Sequence, residues 1–105
     1  MKTLVVSDAG LRAEERDAHE ILQRGPLRSI PLDEGMHMVI RAREAKAGEP
    51  VNAAAVSILR SASTMPGWCV PRVSGDAVIV RPGGEVSAGD TAALLVVILG
   101  ESGRA

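Results

Sequence analysis

A chain with no phenylalanine, no tyrosine and a single tryptophan, Trp68, in 105 residues has to build its interior from valine, leucine, isoleucine, alanine and methionine. Aromatic rings bury roughly 150–250 Å² each; without them a core depends on aliphatic side chains that contribute about 1.5–3 kcal/mol apiece when fully buried. A domain of this length buries only roughly two-thirds of its unfolded surface. One compact domain is expected, and burial against a second subunit would relieve the shortage of large apolar groups.

Charge narrows the partners. With 24% charged residues and a net charge of −1, the chain has no general electrostatic attraction for nucleic acid or anionic membranes. The single Cys69 cannot form an intramolecular disulfide, and the amino terminus lacks the apolar stretch and small-residue cleavage site of a signal peptide, so a reducing, cytoplasmic setting is expected. The longest wholly apolar run, Ala92 to Leu99, has eight residues, far short of the roughly 18 that span a bilayer as a helix.

Along the chain, Lys2 to Val6 reads as a short strand, and Ser7 or Asp8 can cap a helix from Ala9 to Arg24. Leu11, Ala18, Ile21 and Leu22 share one face of that helix, Glu20 and Arg24 can pair, and Gly25-Pro26 stops it. Everything after Pro26 reads as strand and turn. A strand from Leu27 to Leu32 leads through Asp33-Glu34-Gly35 into one where Met36, Met38, Ile40 and Ala42 alternate with His37, Val39, Arg41 and Arg43. After a turn at Ala47 to Pro50, Val51 to Leu59 is expected to return as a strand, although Ala53 to Ala55 also permit a helix. Ser61 to Gly75 reads as a structured connection with room for a short helical turn, and Ala77 to Arg81 as a strand broken by Pro82-Gly83-Gly84. After a turn at Ser87 to Asp90, Thr91 to Leu99 is expected as a final strand covered on both faces, because its apolar residues are consecutive. The expected fold is mainly β: a small β-barrel, or a strongly bent antiparallel or mixed sheet, with one amino-terminal α-helix. Residues 1–26 form an extension, 27–99 the barrel and 100–105 a frayed tail.

Several side chains invite a chemical reading. Arg41 and Arg43 share a strand face, while Arg60 and Arg72 bracket a polar loop with Ser61, Ser63 and Thr64; guanidinium forks and hydroxyls of this kind bind phosphates or carboxylates. The alternative is a solvated basic face balanced by Glu44 and Glu49. Cys69, between prolines and beside Trp68, would need His37 or His19 as a base to act as a nucleophile, against the commoner reading of an inert thiol. Glu15 and His19 on one helical face, with His37, are the only metal-ligand set in view, and no spacing rule brings them together. Met36 and Met38 beside His37 admit a copper reading, but alternating methionines on a strand are core filler far more often.

The stretch Ser61 to Pro82, with Ser61, Ser63 and Met65 in a polar loop, Ser74-Gly75-Asp76 as a turn and Val78-Ile79-Val80-Arg81-Pro82 as a strand ending in proline, resembles the carboxy-terminal β domain of the gephyrin/MoeA family of molybdopterin molybdotransferases. Arg41 fits the arginine of that domain's early strand, and Ala88-Gly89-Asp90 with Val96-Val97 resembles the turn before its closing strand. The chain departs from the pattern at Ala62, where a glycine is usual, and at Pro66 to Pro71, which replace polar residues. The resemblance covers about Leu27 to Leu99 and implies a β-barrel that packs near a partner's active site; it leaves no room for the domain that binds pterin and nucleotide. It adds Asp76 to Arg41, Arg60, Ser61, Ser63, Thr64 and Arg72 as candidate ligand-binding residues, and makes molybdopterin or molybdate the candidate ligand. No catalytic residue, metal or bound cofactor is assigned. The expected function is a non-catalytic module related to molybdenum-cofactor biosynthesis, working through self-association or a molybdotransferase-type partner. A regulatory protein for small anions or phosphorylated ligands, and a Cys69-dependent enzyme, are the alternatives.

Overall fold

The computed structural model describes residues 3–7, 10–22, 26–42, 48–63 and 65–102, without the side chains of His19, Glu101 and Ser102. Five strands and three α-helices follow in the order β1 (Thr3–Ser7), β2 (Gly10–Glu14), α1 (Ala18–Leu22), β3 (Leu27–Pro31), β4 (His37–Arg41), α2 (Ala53–Ala62), β5 (Ala77–Val80) and α3 (Ala88–Ser102). Single 3₁₀ turns lie at Asp33–Gly35 and Gly67–Cys69. The strands form one wholly antiparallel sheet in the order β2-β1-β5-β4-β3.

The sheet is open, so the expected barrel is not formed: β2 and β3 are edges that do not meet. Both edges are blunted against further pairing. Arg12 and Glu14 form an ion pair on β2, and Pro31 on β3 lacks an amide to offer a neighbour. The antiparallel sheet itself, and strands at 3–7, 27–31, 37–41 and 77–80, match the sequence expectation.

Both faces of the sheet are covered. On one, Leu4, Val6, Ile30, Met38, Ile40, Ala77 and Ile79 meet α2 and α3 through Ala55, Ile58, Leu59 and Leu94. On the other, Val78 packs beneath Ala18 and Leu22 of α1, with Val39 and Val80 alongside. The alternation read along β4 is therefore real: Met38 and Ile40 are buried, and His37, Val39 and Arg41 are only partly covered. The central strand with both faces buried is β5, beside β1, which places residues 3–7 inside the sheet.

Three segments differ from the sequence reading. The expected helix over 9–24 is a strand from Gly10 and a helix only from Ala18, because Asp17 caps α1 by accepting from the Glu20 amide at 2.9 Å. Leu11 consequently sits on β2 and packs on the opposite layer from Ile21 and Leu22. Arg24, Gly25 and the Asp8 cap lie outside the described residues. Val51 to Leu59 supplies α2 instead of a strand. Asn52 is its N-cap, and the alanines favour helix, while Ala54, Ala55, Ile58 and Leu59 recur at helical spacing on the buried face. The apolar run Ala92 to Leu99 is the middle of α3, so the described residues contain three α-helices where one was expected. A short apolar run does not distinguish strand from helix; the start signal does. Ser87 and Asp90 form a reciprocal capping box, the Asp90 amide donating to Ser87 Oγ at 3.1 Å and the Ser87 amide to Asp90 Oδ2 at 3.0 Å.

Candidate interaction face

Helix α3 is anchored at its first turn. Arg81, at the end of β5, grips Asp90 with both arms of its guanidinium, Nη2 to Oδ1 at 2.8 Å and Nε to Oδ2 at 3.3 Å. Its remaining Nη1 donates to the Glu34 carbonyl at 2.6 Å. One side chain thus ties β5, the Asp33–Gly35 turn and α3 together. The Ser87 amide and the Arg81 guanidinium hold the Asp90 carboxyl below the usual carboxylate range. Beyond this anchor no charged residue occurs between Thr91 and Gly100.

The rest of α3 is apolar around its circumference, more than one core can use. Leu94 faces inward and is buried, with Val97 and Ile98 packed beside it. At helical spacing on the opposite side lie Ala92, Leu95, Val96 and Leu99, all exposed; Leu95 is 43%, Val96 68% and Leu99 62% accessible. A second large exposed apolar group is Trp68, 87% accessible in the turn after α2. A contiguous exposed apolar stripe of this kind on a folded domain marks a contact site. Its sequence signal was present: a capping box followed by eight consecutive apolar residues encodes a helix with an apolar side left over.

The residues expected to bind an anion do not converge. Arg41 donates to the Leu22 carbonyl at the end of α1 at 3.4 Å, and its other amino group lies against Gly75. Exposed Arg72 and half-buried Asp76 flank the Val73 and Gly75 carbonyls, which accept from the Asn52 amide and side chain; this is the amino-terminal end of α2. Arg60 and Ser61 are on the last turn of α2 and Ser63 follows it, its hydroxyl turned inward to the Leu59 carbonyl. Ten helical residues at a rise of about 1.5 Å each put roughly 15 Å between the two groups. Thr64, Arg43 and Glu44 lie outside the described residues.

The other chemical readings find little more. Met36 and Met38 are core residues, and the His37 ring shares a hydrogen bond with Ser29 Oγ at 3.2 Å. Cys69 is half-buried. Among the described residues no three metal-ligating side chains come together, and no helix is long and apolar enough to cross a membrane. Two small concavities, of about 230 and 210 Å³, fall below the roughly 300–1,000 Å³ of cofactor and drug-sized sites. In the larger, beside β1 and the start of α3, the hydroxyls are already engaged: Thr3 on the Arg16 carbonyl, Ser87 on the Asp90 amide and Thr91 on the Ser87 carbonyl.

Comparison with family models, with curated proteins and with solved structures finds no match for this chain.

Proposed function

We propose that this protein is a non-catalytic binding module that associates with a second copy of itself through the outer face of α3. The exposed stripe Ala92, Leu95, Val96 and Leu99 carries the reading. Covering the accessible parts of Leu95, Val96 and Leu99 gains about 3–5 kcal/mol per protomer at the usual value of a buried aliphatic side chain. Two protomers together then gain an amount comparable to the roughly 4–15 kcal/mol lost on association, so the pairing is reversible and depends on concentration. Sedimentation equilibrium from micromolar to millimolar protein tests this. A reversible dimer that Val96→Asp converts to monomer is expected, and a chain that stays monomeric at millimolar concentration refutes it.

Placement in molybdenum-cofactor biosynthesis, in the cytoplasm, belongs to the same proposal and is supported only by the resemblance of Ser61 to Pro82 and by the chain's single cysteine. In that setting the module assists a molybdotransferase-type partner instead of holding the pterin, since the basic and hydroxyl residues are divided between the two ends of α2. Co-purification with a molybdotransferase, without thermal stabilisation by molybdate or pterin, is the expected outcome; absence of co-purification removes the pathway assignment and leaves the α3 face in place.

A further inference from the structure

Beside the outer stripe of α3 lies a groove of about 210 Å³ with a different character. It is lined by Met36, Ala62, Ala93, Leu94 and Val97, with the Ser61 hydroxyl and the Asp33 and Glu34 carboxylates as its polar part. Both acidic residues are exposed, and neither carboxylate has an ion-pair partner among the described residues. The turn carrying them is fixed from below. Glu34 adopts a left-handed backbone with φ of 61°, and Arg81 holds its carbonyl while gripping Asp90 at the start of α3. Arg81 is thus engaged by Asp90 and by a backbone oxygen, and not by the Asp33 or Glu34 carboxylate.

Size and polarity select the occupant. At roughly 30 Å³ per water, the volume corresponds to about seven waters, too little for a nucleotide or pterin and enough for one long side chain. A largely apolar groove flanked by carboxylates complements a side chain with an aliphatic stem and a cationic head. We infer that this groove receives a lysine or arginine side chain from an amphipathic segment of a partner protein, the stem lying on Ala62, Ala93 and Val97 and the head between Asp33 and Glu34. The surface differs from the self-association stripe. Helical positions 93 and 97 are turned roughly 100° from positions 92 and 96, so a protomer paired through α3 keeps the groove on its flank.

The test uses the full chain and two dye-labelled synthetic amphipathic helices of equal length, one of leucine and lysine and one of leucine and glutamine, followed by fluorescence anisotropy. The lysine peptide is expected to bind at least tenfold more tightly, and the double substitution Asp33→Asn, Glu34→Gln to abolish that preference without altering the dimerisation constant. Ala93→Arg, which occupies the groove from α3, should weaken the lysine peptide to the same degree. Equal binding of the two peptides, or a preference that survives neutralisation of both carboxylates, overturns the inference. If neutralising Asp33 and Glu34 instead dissociates the dimer, the groove is filled by a second copy and the inference also falls. Val96→Asp separates the two proposals: it should remove self-association and spare the lysine preference.

Discussion

Replacing Asn52 by alanine should be the most damaging single polar substitution in this protein. Asn52 is fully buried and serves three structures at once: its Oδ1 accepts from the Ala55 amide at 3.1 Å, capping α2, and its Nδ2 donates to the Val6 carbonyl of β1 at 2.8 Å and the Gly75 carbonyl at 2.9 Å. Losing an N-cap costs about 1 kcal/mol, and the buried Val6 carbonyl and part-buried Gly75 carbonyl, deprived of their donor, about 1–3 kcal/mol each, the second towards the lower end. The total, about 3–7 kcal/mol, is a large part of the roughly 5–15 kcal/mol that holds a domain together. At about 4–8 °C per kcal/mol, the melting temperature should fall by more than about 12 °C. Urea unfolding followed by far-UV circular dichroism measures it. A loss of only about 1 kcal/mol would mean that the cap alone matters and that the two long-range bonds contribute nothing, refuting the view that this side chain pins α2 to the sheet. Asn52→Asp sharpens the test: it keeps the capping oxygen but aims a carboxylate at two carbonyl oxygens, so at neutral pH it should be no better than alanine. Burial near those oxygens raises its carboxyl pKa, so its deficit should shrink as acid protonates it.

Three further outcomes follow from the same geometry. Gly75 has φ of +75°, and a Cβ there would meet the Arg41 guanidinium at 2.9 Å, so Gly75→Ala should cost about 1–2 kcal/mol by the same urea assay. Because the folded state holds the Asp90 carboxyl below its ordinary value, its contribution is complete above the unfolded carboxylate pKa of about 3.9 and is lost as pH falls through the folded value. The stability gap between wild type and Asp90→Asn should therefore narrow on acidification, and a gap independent of pH would contradict the Arg81 and Ser87 contacts. Val96→Asp, on an exposed helical position, should change monomer stability by no more than about 0.5 kcal/mol while abolishing self-association.

Local chemistry made part of this protein legible from its residues alone. Alternation along Met36 to Arg41, the run Ala77 to Val80 and the turn residues at Asp33 to Gly35 marked three features of the sheet because strand periodicity and turn preference act over a few neighbours. The aliphatic composition set the kind of core. Helices α2 and α3 were encoded by Asn52 with its alanines and by the Ser87–Asp90 box, yet both runs are also compatible with strands read one after another. What decided between those readings is long-range. An open sheet whose inner strands β1 and β5 are apolar on both faces needs cover, and α2 and α3 supply it on one side while α1 does so on the other. The same packing divided Arg41 and Asp76 from Arg60 and Ser61, which sequence proximity had grouped into one site, and joined Asp33 and Glu34 to Val97 across more than sixty residues of chain. The sequence determined by itself how much apolar surface this chain carries and where α3 could begin. Only the tertiary structure decided which side of α3 the core would use, because one buried face needs Leu94, Val97 and Ile98, and leaves Leu95, Val96 and Leu99 in water.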